Sequence, residues 1–225
     1  MSTTPQYLCV ELPTEHANQV AVLEEVATLV AAGGGTVHAH APAGRVSCLE
    51  PGTNAAGLLL ASWLDSAALS RTVTTEILPH LRRALPSGSV PTVLQANGLP
   101  KHGLPEMLDI PTVASVAVCP PEPRNALMLI RGTAFIQERL DLYRDVILPM
   151  LKQRGGYYEV FALAEGEIKA WSGEWNEQIF AISRWPTRAA AEDFWFSDRY
   201  QRTAIPLRLN GAGRFSVNLL DATPP

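Results

Sequence analysis

The sequence predicts an α+β chain: two βαββαβ units in tandem, folded on each other as a pseudo-dimeric α/β barrel. Three observations carry that expectation. Runs of β-forming residues alternate with helix-period runs in the order strand, helix, strand, strand, helix, strand. The same order returns after a stretch rich in proline and glycine. The two halves also overlay at a constant offset of 122 positions, pairing Gly34 with Gly156, Gly44 with Gly166, Asn54 with Asn176, Trp63 with Trp185 and Ala67-Ala68 with Ala189-Ala190. A four-stranded antiparallel sheet with helices on one face leaves its other face bare. In a tandem chain the two bare faces can bury each other, and the space between them is where a small-molecule cavity is expected.

In the first unit (residues 1–97), positions 7–12 (YLCVEL) read as a strand. A helix over 15–32 follows, with Thr14 as N-cap, a stripe of Val20, Leu23, Val26, Ala27 and Val30, and a stop at Gly33-Gly34-Gly35. Positions 36–41 (TVHAHA) form the second strand, continued over 45–49 after a turn. A third strand over 58–63 runs into Asp65, a helix over 66–85 is broken near Pro79, and 90–96 closes the unit. Residues 98–124 are punctuated by Pro and Gly and read as a connection, with an edge strand over 113–119. The second unit (125–225) repeats the plan. Its strands lie over 126–131, 157–162 with 168–171 around a turn at Glu165-Gly166, 178–184 and 214–220. One helix runs over 135–154 with Leu140, Tyr143, Ile147, Met150 and Leu151 on one face, and another starts over 187–196.

Composition narrows the function. Of 225 residues 47% are hydrophobic and 18% charged, enough apolar matter for a sizeable core. A net charge of −4 without a basic stripe argues against coating nucleic acid. The apolar runs fall short of the ~20 residues that span a bilayer, and the opening MSTTPQYLCVELPTEH has no secretion-signal pattern, so a cytoplasmic protein is expected. Cys9, Cys48 and Cys119 are odd in number, far apart and in no zinc-binding spacing; reduced thiols are the simple reading. GxSxG, GxGxxG and GKS/T motifs are missing, so neither a serine nucleophile nor a nucleotide cofactor is expected, and no cofactor or metal is assigned.

The most distinctive text is in the second unit: Gly173-Glu174-Trp175, then Trp185-Pro186-Thr187, the Ala-rich run 189–194, Ser197-Asp198-Arg199-Tyr200-Gln201, Pro206-Leu207-Arg208 and a closing GRFSVNLLD strand. These words, with Gly155-Gly156 after the long helix, resemble the family called domain of unknown function 1330, over about 100 residues from Asn125 to Asp221. The first unit keeps the order of elements and lacks the Ser-x-x-Tyr-Gln and Pro-Leu-Arg words. The resemblance implies ferredoxin-like units in the dimeric α/β-barrel superfamily. That superfamily's chemistry spans cofactor-free oxygenases, cyclases, isomerases, dehalogenating or dehydrating enzymes and haem-binding enzymes.

Two constellations are candidates for chemistry. Arg184, Tyr200, Arg202 and Arg208 could converge at one barrel end, with Glu174 on the preceding turn. A guanidinium beside a phenol suits a carboxylate or enolate oxygen, and a Glu can move a proton. Alternatively, Tyr200 and Arg208 hold the helix–turn–helix to the sheet. His38 and His40 stand at i and i+2 of a strand, hence on one face, where they could line the cavity, act as a base or hold a metal. The second copy has Val160 and Ala162 at the matching offset, which confines any such role to one half. For substrate contact the aromatic candidates are Tyr157, Tyr158, Trp175, Trp185 and Trp63, the two last recurring at strand ends and suiting a packing role as well. The resulting expectation is a cofactor-independent enzyme acting on a small, partly apolar organic molecule by proton transfer (cyclisation, isomerisation or elimination) in the inter-sheet cavity. Arg184 or Arg208 would hold an anionic oxygen, with Glu174, His38 or His40 as acid or base. The alternatives are a non-catalytic small-molecule-binding or assembly protein, and a metal or haem enzyme using the two histidines. The partner is a small molecule rather than nucleic acid or membrane, and either a monomer or a homodimer satisfies the barrel.

Overall fold

Alternation along the strands decides which face of each sheet is helical and which is inner. In β1 (Gln6–Leu12), Leu8, Val10 and Leu12 pack against helices, whereas Tyr7 and Cys9 enter the layer between the sheets. The structure is a computed structural model, described here for residues 4–13, 18–50, 56–103, 109–116, 125–163, 166–209 and 211–223. After β1 come α1 (Gln19–Ala32), β2 (Thr36–Ala41), β3 (Ser47–Cys48), β4 (Gly57–Trp63), α2 (Ser66–Thr72), α3 (Leu78–Ala84) and β5 (Thr92–Asn97). The second unit has β6 (Ala126–Ala134), α4 (Gln137–Gln153), β7 (Tyr157–Ala162), β8 (Ile168–Ser172), β9 (Ile179–Trp185), α5 (Arg188–Phe196), α6 (Ile205–Arg208) and β10 (Gly213–Asp221).

Two antiparallel sheets result, ordered β2-β4-β1-β5-β8 and β3-β10-β6-β9-β7. The four strands that each unit supplies to its own sheet follow the βαββαβ order predicted from the sequence, and the fold is the tandem ferredoxin-like, pseudo-dimeric α/β barrel. The fifth strand of each sheet is borrowed. β8 leaves its own unit to pair with β5, and β3 pairs with β10, Asn218 opposite Cys48. The segments expected to continue the second strand of their own unit instead cross over, because the open edges of β5 and β10 offer unpaired backbone groups.

The crossing is echoed in the loops. Gly98 N donates to Pro5 O (2.8 Å) as Ala222 N does to Asn125 O (2.7 Å). Leu99 N then reaches Glu159 O in the other unit (2.7 Å), and Thr223 N reaches His38 O (2.8 Å). Both accepting residues are β-bulges, skipped in the register of β7 with β9 and of β2 with β4. The bulge frees a carbonyl from the ladder, and the partner unit supplies the missing donor.

These pairings correct the sequence overlay by one residue. The left-handed glycines are Gly34 (φ 78°) and Gly155 (φ 72°), so Gly34 corresponds to Gly155, not Gly156. Gly35 and Gly156 are the matching close approaches, each with its missing Cβ directed at the tryptophan ending the third strand, Trp63 or Trp185. His38 therefore matches Glu159 rather than Val160. Gly44, in a short 3-10 turn, and Gly166 (φ 86°) are not equivalent, and Asn54 lies outside the described residues.

The long helix over 66–85 is interrupted by a π-turn, Val73–Ile77, ahead of Pro79. The same device, Tyr200–Ala204, precedes Pro206. The wider turn accommodates a residue without an N–H. Asp65 and Thr187 cap their helices, accepting from Ala67 N (2.8 Å) and Ala190 N (3.1 Å). Asn18 occupies the N-cap position of α1; the expected cap Thr14 lies outside the described residues, as do Glu165 and Cys119. Val113–Ser115 is a 3-10 turn where the edge strand was expected to begin.

Between the sheets the middle is packed shut. Cys9, Leu58, Leu60, Leu127, Leu129, Val160, Phe180 and Ile182 fill it at 0–1% exposure. Among the described residues the opening between the sheets lies at one mouth rather than in this middle layer, and polar groups lie at the two ends. At one end Arg131 of β6 pairs with Glu11 of β1 across the sheets and with Glu177 (2.8 Å), its guanidinium 5.4 Å from the Trp175 ring.

Because the Gly35 and Gly156 positions each face a buried indole, Gly35→Ala and Gly156→Ala should both destabilise the protein. The overpacking cost is roughly 1–3 kcal/mol each, read as a lower urea midpoint with an unchanged m-value. A neutral result at either position contradicts the equivalence.

Candidate functional site

The residues singled out from sequence separate into two groups on opposite faces of the second sheet. The first group lies behind that sheet, under α4, α5 and the π-turn. Trp185 ends β9, Pro186 and Thr187 start α5, and α5 turns Phe194 and Trp195 inward. Tyr200, 1% exposed, is stacked among Phe194 and Trp195 with centroids 4.8 Å away, and its hydroxyl lies 2.8 Å from that of Tyr143 on α4. Arg208, 3% exposed, is surrounded by the rings of Phe215 (4.9 Å), Trp195 (5.2 Å) and Tyr143 (5.6 Å). Its countercharge comes from the other unit: Glu50, just beyond the exchanged strand β3, pairs with its Nη2. The buried Nε of Arg208 has no acceptor among the described residues.

Burial pushes the Tyr200 phenol well above its ordinary range, Tyr143 adds to that, and Arg208 opposes it. Tyr158 is likewise pushed up, by burial and then by Tyr143. Both phenols are therefore protonated donors at neutral pH. Burial disfavours the Arg208 cation, but its neighbours Tyr143, Tyr200 and Glu50 more than restore it. Within the Tyr143–Tyr200 pair one hydroxyl donates to the other, which leaves one O–H to donate elsewhere.

Cavities of about 40 Å³ and about 10 Å³ adjoin this group, the first bounded by Tyr143, Ile147, Tyr158, Phe161 and Phe215, the second by Tyr143, Tyr158, Trp185 and Tyr200. They hold little more than water. Helix α4 forms one wall. Its buried side chains, Ile147, Leu148, Met150 and Leu151, all lie in its last two turns. Pro149 within it cannot donate to the Asp145 carbonyl, a natural hinge. The matching helix α1 is anchored along its whole length by Val22, Leu23, Val26 and Val30.

The second group sits at one mouth of the barrel. The bulges aim His38 and Glu159 at the same residue, Arg184 of β9. Arg184 Nε donates to Glu159 Oε1 (2.5 Å) and Nη2 to Oε2 (3.2 Å), while Nη2 also donates to His38 Nδ1 (3.1 Å). Since arginine only donates, Nδ1 accepts, the proton sits on Nε2, and Nε2–H donates to Ser62 Oγ (2.8 Å). Ser62 is thus an acceptor, not a nucleophile activated by histidine. Tyr7 stacks on the imidazole (5.4 Å, 23°) and hydrogen-bonds Glu159 through its hydroxyl.

The remaining expectations are placed differently. His40 pairs with Leu59 and turns to the helix side, because the bulge at His38 breaks the two-residue period; the histidines do not share a face. Glu174 is exposed and bonded to Asn176 (3.0 Å), far from an acid–base role with either arginine. Arg202 is exposed, 4.0 Å from Asp198. Trp175 stands at the Glu11–Arg131 end, and Trp63 lies in the helix layer of the first unit, its indole N–H on Gly33 O (3.0 Å). Among the described residues no group of three or more His, Cys, Asp or Glu could hold a metal. Glu159 and Glu50 were overlooked in the sequence. Glu159 had a legible signal, a lone carboxylate inside the buried run YYEVFA; Glu50 had none, since its partner is 158 positions away.

No protein-family model matches the chain, and no curated protein matches it in sequence. Solved structures do resemble it. An anthrone oxidase-like protein is 16% identical, with 99% of this chain and 92% of that one covered and a TM-score of 0.50. A mutant chlorite dismutase from Candidatus Nitrospira defluvii is 13% identical, covering 100% and 93%, also at 0.50. At such identities the likeness concerns the fold.

The His38 network makes a pH prediction. Burial holds the imidazole below its ordinary pKa of 6.5, Glu159 opposing and Arg184 assisting. The unfolded chain therefore takes up a proton at higher pH than the folded one. The contribution is full above about pH 6.5 and is lost as pH falls towards the lowered value, by at most ~1.4 kcal/mol per pH unit. Urea unfolding at pH 7.5 and 5.5 should show this loss in the wild type and a smaller one in His38→Gln.

Proposed function

We propose that the protein is an enzyme acting on a small, largely apolar, ring-bearing molecule in the pocket behind the second sheet. The reaction is proton transfer at a carbon next to a carbonyl or phenol oxygen, as in isomerisation, cyclisation or elimination, with the carbon's proton passing to the carboxylate of Glu50 beside Arg208. The Tyr143–Tyr200 pair donates a hydrogen bond to the oxygen as it gains negative charge. Arg208 supplies the fixed positive charge behind it, in surroundings where water does not screen it.

The observation that carries this reading is the contrast between the two copies. Aligned on their π-turns and prolines, Val73 stands where Tyr200 does and Leu81 where Arg208 does, both fully buried. The fold is therefore built as well without the phenol and the cation. A buried arginine costs several kcal/mol in desolvation, so its presence in one copy alone favours a chemical use. Entry requires α4 to lift about Pro149, exposing the Tyr143 and Tyr158 rings. Kinship of this unit with the domain of unknown function 1330 family forms part of the same proposal, because Tyr200 and Arg208 lie in the words that resemble it.

Anthrone, a tricyclic ketone with acidic ring hydrogens, is a suitable first probe, followed by absorbance and mass spectrometry. Turnover should fall by about 10²–10³-fold in Tyr200→Phe, and Tyr143→Phe should fall in parallel, with thermal midpoints showing that both variants fold. Turnover that survives both changes removes the assignment.

A further inference from the structure

The mouth of the barrel holds a larger opening, which the pocket behind the sheet does not use. It is a cleft of about 350 Å³ floored by Tyr7, Tyr157 and Glu159 and walled by Pro5, Leu99 and Lys101, with Thr112 and Val113 above. The connection between the units forms its outer wall and is tied down at several points. Leu99 N bonds Glu159 O (2.7 Å), Tyr158 N bonds Pro111 O (2.8 Å), and the Lys101 carbonyl accepts from Thr112 Oγ1 (2.8 Å) and Ala114 N (3.3 Å). Covering the edge of β7 would need only the first two bonds. Between this strap and the side chains of Tyr7 and Tyr157 the cleft stands open, as pre-formed ligand sites do.

Its charge is readable. Of the charged residues in the lining, Glu159 is already matched: it accepts two N–H bonds from Arg184, directly beneath, and the Tyr7 hydroxyl. Lys101 is exposed and has no acidic partner among the described residues. Among the described residues the cleft therefore carries a net positive charge over a floor of phenol hydroxyls, beside the apolar edges of Pro5, Leu99 and Val113. Burial, with Glu159, pushes the Tyr7 phenol far up, so Tyr7 is a neutral hydroxyl there. We propose that this cleft is a second ligand site, for a small planar anion: a one- or two-ring aryl carboxylate or phenolate. Its ring lies between Tyr7, Tyr157 and the proline edges, and its anionic oxygen meets Lys101. The volume is near the lower end of the ~300–1,000 Å³ range of ligand pockets, which suits one or two rings. The site requires the tandem arrangement, since its lining comes from β1 of one unit, β7 of the other and the connection between them.

The test is a titration of the full-length protein with benzoate and 2-naphthoate, followed by NMR of labelled tyrosine with Tyr7 and Tyr157 assigned. Benzylamine serves as the cationic counterpart. Both anions should shift the two tyrosines saturably, and Lys101→Met should weaken them about tenfold, the worth of one charge-assisted contact. The lysine side chain is exposed, and its structural bonds run through its backbone carbonyl, so this variant keeps the fold. Tyrosine signals unmoved by either anion, equal affinity in Lys101→Met, or shifts produced by benzylamine instead would each overturn the proposal.

Discussion

Each unit of this chain makes a sheet with one face it cannot leave in water, and the covering of that face fixes the remaining architecture. Residues alternating along β1, β4, β6 and β9 send Cys9, Leu58, Leu60, Leu127, Leu129 and Ile182 into a common layer. Burying those side chains at roughly 25 cal/mol per Å² outweighs anything a central cavity could return, so the layer closes. Polar function is displaced to the places apolar packing leaves over: the two mouths of the barrel and the helix-covered outer faces. The exchange of β3 and β8 follows from the same closure, since it protects sheet edges and joins the units with backbone hydrogen bonds.

The bulges at His38 and Glu159 show how a pseudo-symmetric scaffold acquires an asymmetric site. Each places one extra side chain at the barrel mouth and turns one carbonyl outwards, where Thr223 of the second unit or Leu99 of the connection answers it. The backbone solution is the same twice. The side chains differ, a base in one copy and an acid in the other, and Arg184 is the group that can satisfy both at once. A carboxylate or a guanidinium alone at that depth would be costly; together they share hydrogen bonds and nearly neutralise each other.

Much of this was legible in the sequence. The two βαββαβ orders, the glycine stops and the recurrent tryptophans followed from local periodicity and turn chemistry, and the barrel followed from the faces they leave bare. What escaped was whatever depends on register. A bulge is a single inserted residue with no compositional mark, yet it inverted the relation of His38 to His40. The exchanged strands escaped because Ser47 and Cys48 read equally well as a continuation of β2 or as a partner of β10; only the geometry of distant edges chooses. The convergence expected of Arg184, Tyr200 and Arg208 failed for a related reason. Arg184 is one residue from Trp185, and adjacent residues of a strand point to opposite faces of the sheet.

Two units of one plan give the chain an internal control that a fold with a single unit lacks. What both halves keep (a left-handed glycine, an indole beside a glycine, a π-turn before a proline) is what closing the fold demands. What one half alone keeps must be explained otherwise, and the clearest instance is the pair Arg208 and Glu50. Their charges come from different units and meet inside an aromatic layer where Leu81 serves the other copy. A well-packed apolar pair of similar size would fold as stably or better. The exchanged strand β3, which carries Glu50 across, is therefore more than an edge protector. It makes the first unit the source of the countercharge in the second unit's pocket, and the electrostatics of that pocket depend on both halves staying joined.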